Sequence, residues 1–164
     1  MKRLAISEIV FAIIRFFVAL FLSVGTAYCG MILLDKLTHG IDEWKEIKKG
    51  NAAVGIFFAS VILSLYLFVS GALGQLILVI VPGMPLLAIG AAFVTYLMHL
   101  LLGLVTIYLT VNVLDKMTHD VHEFEELKKG NVAVAVIISV ILFTAMLAAR
   151  TAIENVTMIT TRIW

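Results

Sequence analysis

Leu34-Asp35-Lys36-Leu37-Thr38-His39, followed by Glu43, Glu46 and Lys48-Lys49-Gly50-Asn51, returns eighty residues later. The second copy reads Leu114-Asp115-Lys116-Met117-Thr118-His119, then Glu123, Glu126 and Lys128-Lys129-Gly130-Asn131. Each copy is a short polar island between long apolar runs. Read outward from the islands, the chain is two halves, each of the form helix, island, helix. Gly50 and Gly130 suit the left-handed position that stops a helix, and Asn51 and Asn131 suit the cap that starts the next one. Ile41, Trp44 and Ile47 recur at every third residue, as do Val121, Phe124 and Leu127. That spacing puts each trio on one face of a short helix, with Lys45 and Lys48, or Glu125 and Lys128, turned away. A short amphipathic helix lying on a membrane surface fits this pattern. The alternative is a turn packed on the end of a bundle.

The flanking runs set the solvent. Of 164 residues, 62% are hydrophobic and 14% charged, and the mean hydropathy is +1.11. A soluble domain is nearer half apolar and a quarter charged, so the bilayer is the expected partner. A net charge of +1 gives no argument for nucleic acid. The single cysteine, Cys29, excludes an intramolecular disulfide and reads as a small residue in an apolar run. Lys2-Arg3 before an apolar stretch mimics a signal peptide, but Glu8 and Arg15 interrupt it. Thr26-Ala27-Tyr28-Cys29 has bulky Tyr28 where a lipoprotein cleavage site needs a small residue. The N-terminus is therefore expected to be retained.

A membrane-spanning helix needs about 20 apolar residues. Counting back from the first island places a span near 14–33, with Arg15 reaching the far interface. The run from Ala52 to Leu114 is broken by Val81-Pro82-Gly83-Met84-Pro85. Proline removes a backbone donor and clashes with the preceding turn, but is tolerated where a helix begins. Helices are expected over about 51–80 and 86–117, and the last span over about 131–150, with a polar tail after Arg150. The expectation is an all-α polytopic membrane protein with four transmembrane helices. It consists of two tandem two-helix repeats, about 4–81 and 84–162, linked by the Pro82–Pro85 turn in one membrane domain. A fifth span within residues 53–114 is the rival, but it would hold both prolines. Two repeats of two spans share one orientation, so both islands face one side. The islands carry seven lysines against five basic residues on the other side, which favours cytoplasmic islands.

Candidate chemistry is sparse. His99 is the deepest ionisable residue, and intramembrane ionisable groups are functional candidates; an interhelical hydrogen bond is the plainer reading. With Thr106 and Asn112 it could line a pore or relay. Ser60 with Ser64, Thr106 with Thr110, and Tyr108 with Asn112 each share a face, and such residues also bond neighbouring helices. Arg150 and Glu154 have the spacing of an interfacial ion pair. His39, His119 and His122, with nearby carboxylates, are weak metal candidates of generic spacing, and no metal or cofactor is expected. No nucleophile-plus-base motif, phosphate loop or dinucleotide fingerprint occurs, so no enzyme activity is expected.

The apolar helix ending in Leu-Asp-x-x-Thr, the Glu-containing island, and Lys-Gly-Asn-x-Ala opening another apolar helix, twice over, resemble a known family. It is catalogued as domain of unknown function 350, the YjfL-like inner-membrane proteins of bacteria and archaea. The residues that carry the resemblance are Asp35, Thr38, Glu46, Gly50 and Asn51, with Asp115, Thr118, Glu126, Gly130 and Asn131. It implies a four-span plasma-membrane protein and no activity for any residue.

The functional expectation is a non-catalytic, homo-oligomeric, membrane-organising or envelope-associated component. Its islands, Lys48, Lys49, Lys128 and Lys129 included, would dock a cytoplasmic protein or anionic lipid. The alternative is an oligomeric ion channel or small-solute transporter lined by polar residues of the second and third spans.

Overall fold

The computed structural model describes the backbone of residues 2–38, 41–117 and 123–163, and the side chains of residues 6–38, 41–117 and 123–155. Its elements are α1 (Lys2–Leu37), α2 (Glu43–Lys48), α3 (Ala52–Leu78), α4 (Leu86–Met117), α5 (Glu123–Lys128) and α6 (Val132–Ile163). No strand occurs among the described residues. Four helices are long and apolar enough to cross a membrane: α1, α3, α4 and α6. The Pro82–Pro85 stretch lies between α3 and α4, and Gly83 takes a left-handed φ of +81° there. The rival fifth span is thus absent.

One boundary differs from the sequence reading. Helix α6 runs on to Ile163 where a polar tail follows Arg150 in that reading. No proline or glycine interrupts 132–163, and Arg150 pairs with Glu154 along the helix at 2.7 Å. Helix α1 begins at Lys2, so Lys2, Arg3 and Glu8 belong to a helical extension of the first span, and it holds 36 residues, which at 1.5 Å per residue is about 54 Å. That exceeds the roughly 30 Å hydrocarbon core by a wide margin.

Helix α3 is the hub. It touches every other element, and 56% of its most apolar stretch is buried, against 6% in α1 and 11% in α4. Phe57, Val61, Leu65, Phe68, Val69 and Leu76 form its part of the core. Helix α4 lies antiparallel on α3, where Gly103 sits directly against Leu65 and Phe68. A Cβ at Gly103 would stand 2.8 Å from Leu65 Cδ1 and 3.0 Å from Phe68 Cδ1. Helix α4 also meets α1: the Tyr96 hydroxyl donates to Leu22 O at 3.0 Å and lies 2.6 Å from Thr26 Oγ1. Helices α3 and α6 run side by side in the same direction. Asn51, before α3, bonds to carbonyls that end α5, just before α6. Arg150, far along α6, donates to Leu67 O and Ser70 Oγ of α3.

Candidate functional site

The two islands meet at one end of the bundle, and the motif residues make that joint. In the first island Asp42 caps α2, its carboxylate accepting from Lys45 N–H at 2.9 Å. Gly50 has φ +84°, its N–H donates to Ile47 O, and the Asn51 N–H donates to Glu46 O. This reversal satisfies the last carbonyls of α2. Asn51 then caps α3 by accepting from Val54 N–H at 3.2 Å. The second island repeats the arrangement: Gly130 has φ +86°, and Asn131 accepts from Val134 N–H at 3.3 Å.

The inward face of α2 carries two carboxylates, which the apolar spacing does not reveal. Glu43 and Glu46 are the buried residues of this helix, while Trp44 is 56% exposed and rests edge-on against Phe58, with ring centres 5.3 Å apart. A carboxylate turned inward is tolerable only when hydrogen-bonded. The Thr38 hydroxyl, itself buried, is shared between Leu34 O and the Glu43 carboxylate. Glu46 accepts from Lys49 Nζ at 2.6 Å and from Asn51 Nδ2 at 3.4 Å. In α5 the buried residues are Glu123 and Leu127, and Phe124 meets Phe57 of α3 edge-on.

These contacts set the charge states. The hydrogen bond from Lys49 holds the Glu46 carboxyl below its usual 4.5 against an opposing effect of burial, and Asn51 adds to it. The hydrogen bond from Asn131, then that from Lys129, holds Glu126 below 4.5. Glu126 in turn raises Lys129 above 10.5. Glu46, Glu126 and Lys129 are therefore charged at neutral pH.

One side chain ties the islands together. Asn51 Nδ2 donates to Leu127 O at 3.0 Å and to Lys128 O at 3.2 Å. Asn131 Nδ2 instead stays within its own island, on Glu126 at 2.9 Å. Residues 7–96 and 87–164 match the family described as Domain of Unknown Function (DUF350). The chain belongs to the DUF350 family. With its four apolar helices, it is a multi-pass membrane protein. No curated protein and no solved structure matches it.

Elsewhere in this DUF350 chain the candidate residues stay apart. His99 donates from Nδ1 to Thr95 O at 2.8 Å and stands beside Phe68. Thr106 donates to Leu102 O and Asn112 to Tyr108 O. Each bond returns to the residue's own helix, one turn back. Asp35 and Asp115 are exposed, as are Lys48 and Lys128. Among the described residues no group of three or more His, Cys, Asp or Glu is placed to hold a metal. Thr118, His39, His119 and His122 lie outside the described residues.

Three anchors of the DUF350 fold are not legible in the sequence. Arg15 Nε donates to Ile80 O at 2.8 Å, so this arginine ties α1 to the turn after α3. Arg150 reaches α3 beside Gly71, where a Cβ would stand 3.5 Å from its Nη2. Tyr96 locks α4 to Thr26 of α1. The polar residues themselves were visible signals, but their partners are mostly backbone carbonyls, which every residue carries.

Proposed function

We propose that this chain is a non-catalytic, homo-oligomeric component of the plasma membrane that organises the membrane through its polar islands, which face the cytoplasm. The observation that carries the reading is the joined pair of islands. Asn51 holds them as one platform, with Glu43, Glu46 and Glu123 turned inward and Lys45, Lys48, Lys49, Lys128 and Lys129 outward. A basic platform at the membrane surface suits an anionic lipid headgroup or an acidic protein segment. The excess of lysine on the island side supports the cytoplasmic orientation. The shared direction of α3 and α6, with Arg150 bonding to the residue eighty positions before it, supports two tandem repeats.

The length of the helices supports homo-oligomerisation. A span of about 20 residues near 14–33 leaves the start of α1 beyond the hydrocarbon core. Ile6, Ile9 and Ile13 of that stretch are all more than half exposed. Leu86 and Leu87, at the same end of the bundle, are exposed by 83% and 84%. Further copies of the chain would cover these surfaces.

Two measurements test the proposal. Lys48→Glu, Lys49→Glu, Lys128→Glu and Lys129→Glu together should abolish binding of the reconstituted protein to anionic vesicles or to an acidic cytoplasmic partner; unchanged binding counts against the platform. Native mass spectrometry from nanodiscs should give a single oligomer, and a monomer would refute the assembly.

A further inference from the structure

An open groove runs between α4 and α6. It is apolar, about 500 Å³ in volume, and its walls include Leu109, Val113, Met117, Ile141 and Ala145. The residues eighty positions earlier are Cys29, Leu33, Leu37, Val61 and Leu65. They belong to the corresponding groove between α1 and α3, and that groove is filled. Its occupant is α4, which contacts both walls. Val61 and Leu65 are fully enclosed there, whereas Ile141 is 38% exposed.

The face of α4 that does the filling is Tyr96, Gly103, Ile107 and Val111, all buried. Eighty positions earlier, the same face of α1 is Phe16, which is exposed, with Ser23, Ala27 and Met31, which are only half-buried. Phe16 is 62% exposed. One chain therefore carries an unfilled groove at one side and, on α1, an unseated face of the kind that fills it.

The side-chain volumes match across the two cases. In the filled groove Leu65 and Phe68 project so far that only glycine fits at position 103, since a Cβ there would lie 2.8 Å from Leu65 Cδ1. On α6 the counterparts of Leu65 and Phe68 are Ala145, in the wall of the open groove, and Ala148, further along the helix. The counterpart of Gly103 on α1 is Ser23, which has the Cβ and hydroxyl that the alanines leave room for. Large walls meet a glycine in one groove, and small walls are offered to a larger residue in the other. Volume exchange of this kind keeps packing density constant.

We infer that α1 of a second copy seats its Phe16, Ser23, Ala27 and Met31 face in the α4/α6 groove. The inference rests on the proposed homo-oligomer and specifies its interface. The contact is heterologous, head to tail, so each copy receives one neighbour and enters another. Such contacts build a ring or an open filament, not a two-fold dimer. Within one chain α1 and α6 barely meet, so a link between them reports on neighbouring copies.

The test is disulfide cross-linking in native membranes, in a Cys29→Ala background. Ala145→Cys is combined in turn with Leu20→Cys, Ser23→Cys and Ala27→Cys, substitutions small enough to preserve the fold. At least one pair should give a ladder reaching trimers and beyond. Two differently tagged copies, one carrying Ser23→Cys and the other Ala145→Cys, should link only to each other. Efficient dimers from Ser23→Cys alone would overturn the inference by revealing a two-fold contact. An oligomer by native mass spectrometry with no ladder from any pair would overturn it while leaving the homo-oligomer standing. A monomer by the same measurement would overturn both.

Discussion

Replacing Asn51 and replacing Asn131 should have unequal effects, although the two asparagines occupy the same place in their motifs. Each caps a long helix, and loss of such a cap costs about 1 kcal/mol. Asn51 also donates to Leu127 O and Lys128 O in the other island, and each hydrogen bond contributes about 0.5–1.5 kcal/mol. Leu127 O also accepts from the Gly130 N–H, and Lys128 O lies at the surface. Both carbonyls can therefore be satisfied in other ways, which places the pair near the lower end of that range. Each asparagine also donates to a glutamate of its own island, Asn51 to Glu46 at 3.4 Å and Asn131 to Glu126 at 2.9 Å, which adds about 1 kcal/mol to either loss. Asn51→Ala is thus expected to cost about 3 kcal/mol and Asn131→Ala about 2 kcal/mol. For a chain of this size the difference of about 1 kcal/mol corresponds to about 2–4 °C in thermal midpoint. The assay is thermal unfolding in one detergent, followed by intrinsic fluorescence, with Asn51→Asp as a third variant. Aspartate keeps the cap but has no amide to donate, and it sets a carboxylate against two carbonyls beside Glu46. It should therefore be destabilised although its cap is intact. Equal losses for the two alanine variants, or an Asn51→Asp protein as stable as the parent, would refute the bridging role.

Acid should loosen the islands. Glu46 and Glu126 both titrate below 4.5 in the folded chain. Their pairs thus contribute fully above that pH and are lost as pH falls through the lowered folded values. The thermal midpoint should drop on acidification below about pH 4.5, and Glu46→Gln with Glu126→Gln should flatten the drop; an unchanged profile in the double variant would rule these carboxyls out. At the other extreme Lys129, raised above 10.5, contributes below that pH and its contribution is lost as pH rises past its folded value. Tyr96→Phe removes the hydroxyl that joins α4 to Thr26 and Leu22 O. It should cost about 1 kcal/mol, read as a fall of about 2–4 °C in midpoint. Because His99, Thr106 and Asn112 bond back to their own helix, ion flux into vesicles holding the parent or His99→Ala should equal that of empty vesicles. Flux that disappears with His99→Ala would favour the channel reading instead.

The elements of this protein were decided locally, and so the sequence alone determined them. Two prolines between 82 and 85 end one apolar helix and open another whatever lies around them, because they lack an N–H and fix φ. A glycine followed by an asparagine stops and restarts the chain within four residues, and φ of +84° at Gly50 and +86° at Gly130 reflects that local geometry. Four spans and membrane residence follow from the apolar runs between these marks. Where the helices lie relative to one another was not legible. The carboxylates of α2 turn inward because Thr38, Lys49 and Asn51 happen to surround them, an outcome that a three-residue apolar spacing does not reveal. Two motifs alike in sequence differ in that Asn51 crosses to the other island and Asn131 does not. Two like grooves differ in that α4 fills one while the other stays open. The physical reason is tertiary contact: α1, α4 and α6 all pack on α3, so α4 closes the α1/α3 groove, while the α4/α6 groove stays open at the surface. Two islands alike in sequence therefore sit in unequal surroundings, and packing around α3 decides which groove is enclosed.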